Sequence, residues 1–578
     1  MKIIIYKLWF LMIYAGFLLA QKPVINLVFP DQDTTFTDYK NYRIAGNTNP
    51  DYTITVNDEN LRVYETGAFA TLLKIKQGTN KFTIRAYYDG YLKAEKDIYL
   101  VKEEKKLKEY GDIVKIFPES VLPAEDRWIS AGESLTLSFS GTTGCSAIIP
   151  GIIELPFSDS KKRPGYYSIK INANDFKTDY FGNYEIVLTD KYGNETRYNS
   201  SVKMNITSHK IFFKGKTKGF RPLFSYELQT DRLGLKEPNY ISEGTELTVT
   251  GKKGKYYRFS ISGKENGWIP EEYVTDFLAN PEFSFVSSEP KYKYEYADTI
   301  KIKINTPTPY ITYQRIDPAV IVVKLVGYDF SGYEIINKSD EKADISHFYN
   351  SKEKTLEVFL TLDEKQVWGY SVEFSDSILS IIYKRKGIKL INDCTVILDA
   401  GHGGNNLGAL GSSGALEKDV NYELVSKIKK SLVNHGAKVI LLRDGDENLS
   451  NPEKIKKVFE TGGDILLSIH CNSVALNVDP HRVRGTAVYY HHSSNRQLAE
   501  FIHKKMIELG FNSFGIFEGF NLSVNSVTEL PAVLIETAFL SNPYDEVKLL
   551  NPVYQEKIAD KITEGIIDFL KWSNSEIK

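Results

Sequence analysis

The stretch TVILDAGHGG, residues 395–404, decides the fold of the C-terminal part of the chain. It begins as an apolar run of strand length and ends as a glycine-rich turn that carries a histidine. Apolar residues then recur every four positions, at Val420, Leu424, Ile428 and Leu432, as on the buried face of a helix. The order of strand, turn and helix predicts an α/β domain.

Similar signals continue to the end of the sequence. Apolar runs predict further strands at residues 438–442, 465–470, 485–490 and 532–536. Further helices are predicted from residue 450 onward, at residues 497–509 and at residues 554–572. Ser450 and Pro452 are of the types preferred where a helix begins. We therefore expect a C-terminal α/β domain at residues 391–578, with a mostly parallel or mixed central sheet and flanking helices.

Upstream of this domain the sequence has a pattern typical of all-β structure. Short runs alternate apolar and polar residues, as in FTIRA at residues 82–86, and turn residues separate the runs. The chain is therefore predicted to be multidomain, with several β modules before the α/β domain. We predict an Ig-like β-sandwich at 21–101, a charged linker at 102–110, a second β-sandwich at 111–207, and further β modules at 211–278 and 285–386.

Polar residues stand where three of the predicted strands end. These residues are His402, His470 and Glu536. Open α/β sheets bind ligands at the carboxyl ends of their strands, so we expect the three side chains at one edge of the sheet. Glu417 begins the first helix of the domain. The loop before it is rich in Gly, Ser and Asn and can fold back to place this carboxylate beside His402.

Two imidazoles and one carboxylate form a usual catalytic zinc shell, which leaves one position open for water. A second carboxylate that does not bind the metal can serve as a general base. We therefore predict His402, Glu417 and His470 as ligands of one Zn²⁺ per domain, and Glu536 as the catalytic base. Zinc is preferred over copper or iron because hydrolysis needs a Lewis acid without redox chemistry. A single histidine at a strand end is commonly structural, but the joint occurrence favours a metal site.

Four motifs in this domain resemble the zinc-dependent N-acetylmuramoyl-L-alanine amidases of the Amidase_3 family. They occur in family order: LDAGHGG at 398–404, EKDVN at 417–421, SIHCNS at 468–473 and PAVLIETAFLSN at 531–542. The resemblance implies metal ligands at His402, Glu417 and His470 and a catalytic glutamate at Glu536, in agreement with the chemical assignment. Asn421 and Asn472, inside the motifs, are expected to order the site.

The sequence also departs from the family pattern. Ala400 and Cys471 stand where the family often has Pro and Ala, and residues 521–525 match the family's substrate-side stretch poorly. The connection at residues 473–485 is too short for the inhibitory helix that some relatives carry there. His491 and His492 follow a strand and could border the cleft. We predict that they are exposed surface residues instead.

The resemblance implies an activity in the cell wall. The expected reaction is hydrolysis of the amide bond between N-acetylmuramic acid and L-alanine in peptidoglycan by a zinc-activated water, with Glu536 moving the proton. Two alternatives stay open: a non-catalytic cell-wall binding protein, and a zinc peptidase or deacetylase that acts on another amide.

Two of the upstream modules resemble domains found beside such enzymes. Short strands at residues 244–249 and 267–270 resemble a bacterial SH3-like module within residues 211–278. A packing spacer with a buried Trp268 is the alternative. The position and strand pattern of residues 285–386 resemble the AMIN domain, which precedes some wall amidases and targets them to the envelope.

The first twenty residues predict a secretory signal, because Lys2 and Lys7 precede the apolar run 8–20 and no acidic residue is present. An uncleaved anchor is the alternative. No later stretch is long and apolar enough to span a bilayer. The expected location is therefore outside the cytoplasm, in the periplasm or the cell envelope.

Composition narrows the class of protein further. A chain of 578 residues is too long for a single core. The formal net charge of −2 gives no indication of a nucleic-acid partner. Cys145, Cys394 and Cys471 are too few for a disulfide framework and are predicted to be mostly buried thiols. The expected partners are peptidoglycan and, through the β modules, other envelope proteins.

Overall fold

The computed structural model of the chain describes most of the sequence. The described residues are 24–103, 113–151 and 157–575, with gaps at 161–162, 177, 211, 229–234, 237–238, 262–264, 277–293, 295–296, 305–307, 328–329, 338–342, 376, 385–386, 389 and 520–522. The predicted signal at 1–20 and most of the predicted linker at 102–110 lie outside the described residues. None of the helices among the described residues has the length and apolar content needed to cross a bilayer.

The C-terminal domain is built on a six-stranded mixed sheet. Its strands are β1 (Thr395–Ala400), β2 (Lys438–Leu441), β3 (Ile465–Asn472), β4 (Thr486–Tyr490), β5 (Ser513–Glu518) and β6 (Ala532–Phe539). The order across the sheet is β2-β1-β3-β6-β4-β5. Neighbouring strands run parallel except for the antiparallel pair β6 and β4. This mixed sheet confirms the predicted fold class.

Five helices flank the sheet. They are α1 (Glu417–Asn434), α2 (Asn451–Thr461), α3 (Arg496–Glu508), α4 (Pro543–Leu550) and α5 (Pro552–Ser573). The four apolar residues predicted to form the buried face of α1 are at most 3% exposed, and they pack into the main core of the domain. Gly436 follows the end of α1 with a φ of 91°, which a residue with a side chain rarely adopts. Ser450 and Glu453 form a reciprocal capping box at the start of α2.

The described residues before residue 390 form β-strands and no α-helix, as predicted. Residues 24–102 form a sandwich of one three-stranded and one five-stranded sheet around Ile44, Ile54, Ile84 and Ile98. The strands are Asn26–Phe29, Thr34–Phe36, Asn41–Asn47, Thr53–Val56, Glu59–Leu61, Ala68–Lys74, Gly78–Tyr88 and Tyr91–Lys102.

The next part of the chain, up to residue 276, contains a nine-stranded sheet that extends across two of the predicted modules. Arg127–Ile129 joins the two parts, because it pairs with Glu195–Ile206 on one side and with Glu246–Lys253 on the other. Arg258 and Glu133 form an ion pair across the same junction. Trp268 is half-buried beside the guanidinium of Arg258. The other strands are Ser134–Ser140, Ser146–Ile148, Ser158–Ser160, Arg163–Asn172, Tyr180–Thr189, Phe213–Thr217, Leu223–Phe224, Glu227–Leu228, Leu235–Lys236, Asn239–Tyr240, Tyr256–Ser260, Asn266–Pro270 and Val274–Asp276.

Two four-stranded sheets follow and enclose a separate core. Their strands are Ala297–Lys303, Tyr310–Arg315, Val320–Val326, Glu334–Asn337, Ala343–Asn350, Thr355–Leu362, Tyr370–Ser375 and Ile378–Lys384. This part contacts the C-terminal domain directly: the Nζ atom of Lys384 lies 2.5 Å from a carboxylate oxygen of Asp464. The backbone N–H of Tyr370 donates to the carbonyl of Thr528 at 2.8 Å.

A buried ion pair joins the C-terminal domain to the module at residues 212–276. Arg221 Nη1 lies 2.7 Å from Glu529 Oε2, and the two side chains are 14% and 1% exposed. The guanidinium also lies over the rings of Tyr240 and Phe459. Because Glu529 has so little access to water, its charge depends on Arg221 for compensation.

We expect Arg221→Met to lower the free energy of unfolding by about 3–5 kcal/mol, since it leaves a buried carboxylate without its partner. The measurement is a urea titration of the full chain. Arg197→Met is the matched control, because Arg197 pairs with Glu185 and is 55% exposed; its unfolding curve should hardly move. An Arg221→Met curve that matches this control would contradict the proposed role of the pair.

Candidate metal centre

The four predicted site residues lie together at one edge of the sheet. His402 follows β1, His470 lies in β3, Glu536 lies in β6 beside His470 in register, and Glu417 is the first residue of α1. Glu417 Oε2 is 3.1 Å from His402 Nε2, and Glu417 Oε1 is 3.1 Å from His470 Nδ1. The centroids of the two imidazole rings are 4.9 Å apart. The loop between β1 and α1 therefore folds back as the sequence suggests.

Two glycines make this close packing possible. A Cβ atom at Gly401 would lie 2.3 Å from the imidazole Cε1 of His470. A Cβ atom at Gly408 would lie 2.5 Å from a carboxylate oxygen of Glu417, and Gly408 has a φ of 68°. A larger residue at either position would push a predicted ligand out of place. His402 itself has a φ of 63°, so the turn that presents it is conformationally strained.

Hydrogen bonds from neighbouring groups orient two of the three predicted ligands, His402 and Glu417. His402 Nδ1 lies 2.9 Å from Asn406 Oδ1, a pairing that makes Nδ1 the donor and directs the other ring nitrogen, Nε2, toward Glu417. Glu417 accepts hydrogen bonds from the backbone N–H groups of Ala409 at 2.7 Å and Cys471 at 3.1 Å. Asn421, which is fully buried, donates to the carboxylate of Glu417 and to the carbonyl of Gly401. Asn421 therefore orders the site, as predicted from the motif.

The pKa values of the two carboxylates in the site, Glu417 and Glu536, are shifted in opposite directions. Burial alone would raise the pKa of Glu417, but hydrogen bonds from His402 and His470 outweigh it and hold this pKa far below its usual range. Burial lowers the pKa of His402, yet its contact with Glu417 produces a net rise. Burial and the charge of Glu417 raise the pKa of Glu536 to about 8. Glu536 Oε2 is buried and has no hydrogen-bond partner among the described residues. Glu417 is thus a permanent anion, whereas Glu536 can exchange a proton near neutral pH.

The donor set fits a divalent metal ion. One ligand atom from each of His402, Glu417 and His470 lies within 4.8 Å of the others, and no second group of this kind occurs among the residues that the structure describes. Nitrogen and oxygen ligands about 2.0–2.2 Å from a shared ion lie roughly 3–4 Å apart. These three side chains could therefore hold one ion with little movement, while Glu536 stays outside the donor set.

A buried ion pair between Lys454 and Asp399 supports the strands of the site and is not evident from sequence patterns. Lys454 Nζ on α2 lies 2.8 Å from Asp399 Oδ1, and both side chains are buried. Ser468 Oγ donates to the other oxygen of Asp399 at 2.7 Å. Because Asp399 lies in β1 and Ser468 in β3, this network ties together the two strands that present His402 and His470. The only sequence signal is the position of Asp399 just before the glycine-rich turn.

The histidines at 481, 491 and 492 and the three cysteines lie outside this donor set. His492 is half-buried: its Nε2 lies 3.0 Å from the carbonyl oxygen of Ser526, and burial lowers the pKa of His492 to about 3. The prediction that His491 and His492 are exposed is therefore wrong, because both side chains are half-buried. The serines that follow them, Ser493 and Ser494, donate hydrogen bonds to Gln314 of the adjoining β module. His481, which carried no signal in the sequence, contacts the N-terminal sandwich. The three cysteines are free thiols, two buried and one half-buried, as expected.

Comparisons with known proteins find similar sequences for the C-terminal domain. Residues 396–568 match the family model described as N-acetylmuramoyl-L-alanine amidase. The chain is 32% identical over 182 residues to the N-acetylmuramoyl-L-alanine amidase LytC of Bacillus subtilis, a match that covers 31% of this chain and 36% of LytC. It is 33% identical over 177 residues to the uncharacterized protein YqiI of the same organism, covering 30% of this chain and 82% of YqiI.

Solved structures include a similar domain. The catalytic domain of CwlV, an N-acetylmuramoyl-L-alanine amidase from Bacillus (Paenibacillus) polymyxa var. colistinus, is 31% identical, with a TM-score of 0.29. That match covers 31% of this chain and 98% of the CwlV domain. The chain thus spans little more than a third of LytC, about four fifths of the smaller relative YqiI and nearly all of the isolated CwlV domain.

Proposed function

Since the chain belongs to the N-acetylmuramoyl-L-alanine amidase family through its C-terminal domain, we propose that it hydrolyses the bond between N-acetylmuramic acid and L-alanine in peptidoglycan. The observation that carries this proposal is the meeting of His402, Glu417 and His470 at one point, with Glu536 beside them. Peptidoglycan lies outside the cytoplasm, so the proposal is consistent with export to the periplasm or cell envelope and with the predicted signal.

The three ligands would hold one Zn²⁺, which supplies Lewis-acid chemistry and lowers the pKa of water. Asn406 keeps the tautomer of His402 fixed, and the N–H groups of Ala409 and Cys471 keep the carboxylate of Glu417 in place. These contacts would hold His402 and Glu417 in place before substrate arrives, so little reorganisation is needed during the reaction.

Glu536 would move the proton. Its free Oε2 takes a proton from the attacking water, and the same oxygen then gives the proton to the amine of the departing L-alanine. Burial keeps the carboxylate basic enough to accept a proton near neutral pH. One side chain can thus serve as base in the first step and as acid in the second.

We propose that the upstream modules serve attachment. The divisions at 21–101, 111–207, 211–278 and 285–386, the last two SH3-like and AMIN-like, would place wall-binding or protein-binding surfaces on the same chain as the catalytic domain. Peptidoglycan and other envelope proteins are the partners that this arrangement favours.

The decisive experiment is mass spectrometry of the products. The full chain without residues 1–20, loaded with Zn²⁺, is incubated with purified peptidoglycan, and the released fragments are identified. We expect peptides that begin at L-alanine and glycan strands that keep their acetyl groups. Peptides cut internally, or glycan without acetyl groups, would assign the domain to another amide. Binding without any release, at a level equal to that of Glu536→Gln, would make it a binding protein.

A further inference from the structure

The N-terminal sandwich, residues 24–102, contacts two loops of the C-terminal domain that adjoin the metal-site residues in the chain. The first loop, residues 403–416, joins two of the predicted ligands. The second loop, residues 473–484, follows the strand that carries the third. Both contacts involve hydrogen bonds between groups that are buried or half-buried. The sandwich is therefore packed beside the metal site and is not a separate appendage.

The contact with the first loop leads directly to a ligand. Asn47 Nδ2 donates to the carbonyl of Ser413 at 2.6 Å. Ser413 donates through its backbone N–H and its hydroxyl to Glu546, a buried carboxylate whose pKa is raised by burial to about 7. Four residues earlier in the same loop, the N–H of Ala409 donates to Glu417. A shift of the loop at Asn47 would therefore move a hydrogen bond that holds Glu417.

The contact with the second loop is centred on a buried arginine. Arg43 is only 2% exposed. Its backbone N–H donates to the carbonyl of Leu476 at 2.6 Å, and its guanidinium lies 3.4 Å from the carbonyl of Val474. Leu476 packs against apolar residues of the sandwich, namely Tyr42, Ile75 and Leu100. The guanidinium also lies 4.9 Å from the centroid of the Phe29 ring, so Arg43 is enclosed between the sandwich and the second loop.

The second loop has another contact at its far end. His481 Nε2 lies 3.0 Å from the carbonyl of Ala70, which can only accept, so this nitrogen carries the proton. His481 Nδ1 then accepts from the hydroxyl of Tyr64 at 3.3 Å. Beside this pair, Arg62 donates to the hydroxyl of Tyr544 at 3.1 Å. The loop is thus held by the sandwich near both of its ends.

We propose that the N-terminal sandwich is a positioning element of the metal centre, which holds the two loops next to the predicted ligands in the conformation that binds the ion. The first loop contains five glycines among its fourteen residues, so it has many alternative conformations when it is not held. Contacts from outside the C-terminal domain reduce that freedom, and groups that orient metal ligands commonly change metal affinity 10–100-fold. This inference rests on the proposed function only in taking Zn²⁺ as the ion.

The test uses the full chain with the double substitution Asn47→Asp and Tyr64→Phe. The first change is isosteric and replaces the donor facing Ser413 by a carboxylate oxygen, and the second removes the hydroxyl that donates to His481. The matched control is Asn60→Asp with Tyr91→Phe, two exposed residues of the same sandwich. Hydrogen exchange of residues 409–416 and 474–481 and the Zn²⁺ dissociation constant, measured against a chromogenic chelator, are the readouts.

We expect faster exchange in both loops and a Zn²⁺ dissociation constant at least about tenfold higher than that of the control. Faster exchange with a dissociation constant within twofold of the control would overturn the proposal, and so would unchanged exchange in both loops. Arg43→Met, which removes only the guanidinium, provides a second variant if the double substitution unfolds the sandwich. Neither readout needs catalysis, so an inactive wild-type chain would refute the proposed reaction and leave this inference intact.

Discussion

Replacing Glu536 by glutamine is expected to lower kcat on peptidoglycan by about 10²–10⁴-fold, the range that a general base contributes. Glutamine has nearly the same shape, but it cannot accept the proton of the attacking water or return it to the leaving amine. Because Glu536 lies outside the donor set and its Oε2 has no protein partner among the described residues, the substitution should hardly disturb the site. The Zn²⁺ dissociation constant should therefore stay within about threefold of the wild-type value.

Steady-state release of peptide from solubilised peptidoglycan measures the first quantity, and competition with a chelator measures the second. Glu556→Gln, on the exposed side of α5, is the matched control and should leave both unchanged. A variant at position 536 that keeps more than a tenth of the wild-type kcat would show that another group moves the proton. Loss of Zn²⁺ binding in the same variant would instead place Glu536 among the ligands.

The grouping of the candidate site residues could be predicted because they occupy positions that topology controls. His402 follows β1 and His470 lies near the end of β3, and these two strands run parallel, so their carboxyl ends share an edge. Glu536 lies beside His470 in the sheet for the same reason. To predict the position of Glu417, one further inference was needed, namely that a glycine-rich loop can fold back to the strand that precedes it.

The groups that support the site could not be predicted, because long-range packing places them. Lys454 lies on a different helix from the residue it pairs with, and no periodic pattern connects it to Asp399. Asn47 and Arg43 belong to a strand of the sandwich, and only the docking of the sandwich on the C-terminal domain gives them a role. Strand β5 contains Gly515, which breaks its pattern, and this strand was not predicted.

The boundaries between the β modules are difficult to predict from sequence for a related reason. The three-residue strand Arg127–Ile129 is too short to show alternation, yet it joins the sheets of two predicted modules. Similarly, His492 follows a strand in a polar stretch, as a surface residue would, but it is half-buried against Ser526, and the next two residues bond Gln314 of a neighbouring module. Sequence periodicity reports which residues a segment buries within its own domain, and it carries little information about contacts between domains.

Substitution of a predicted ligand should weaken Zn²⁺ binding, whereas substitution of the base should leave Zn²⁺ binding nearly unchanged. Glu417→Gln is expected to weaken Zn²⁺ binding by well over 100-fold, beyond the range for groups that only orient ligands, because the donor set loses its only negative charge. The amide also cannot accept hydrogen bonds at both of its ends, so either Ala409 or Cys471 loses its acceptor. Activity should be lost together with the ion.

Two comparisons separate this effect from general damage to the fold. Asp419→Asn changes an exposed carboxylate in the same first turn of α1, and it should bind Zn²⁺ as the wild type does. Chelator should abolish the activity of the wild type and Zn²⁺ should restore it, whereas excess Zn²⁺ should restore little activity to Glu417→Gln. If Glu417→Gln bound Zn²⁺ with wild-type affinity, Glu417 would not be a ligand. Glu536, which pairs with His470 in the sheet, would then be the carboxylate to test as the third ligand.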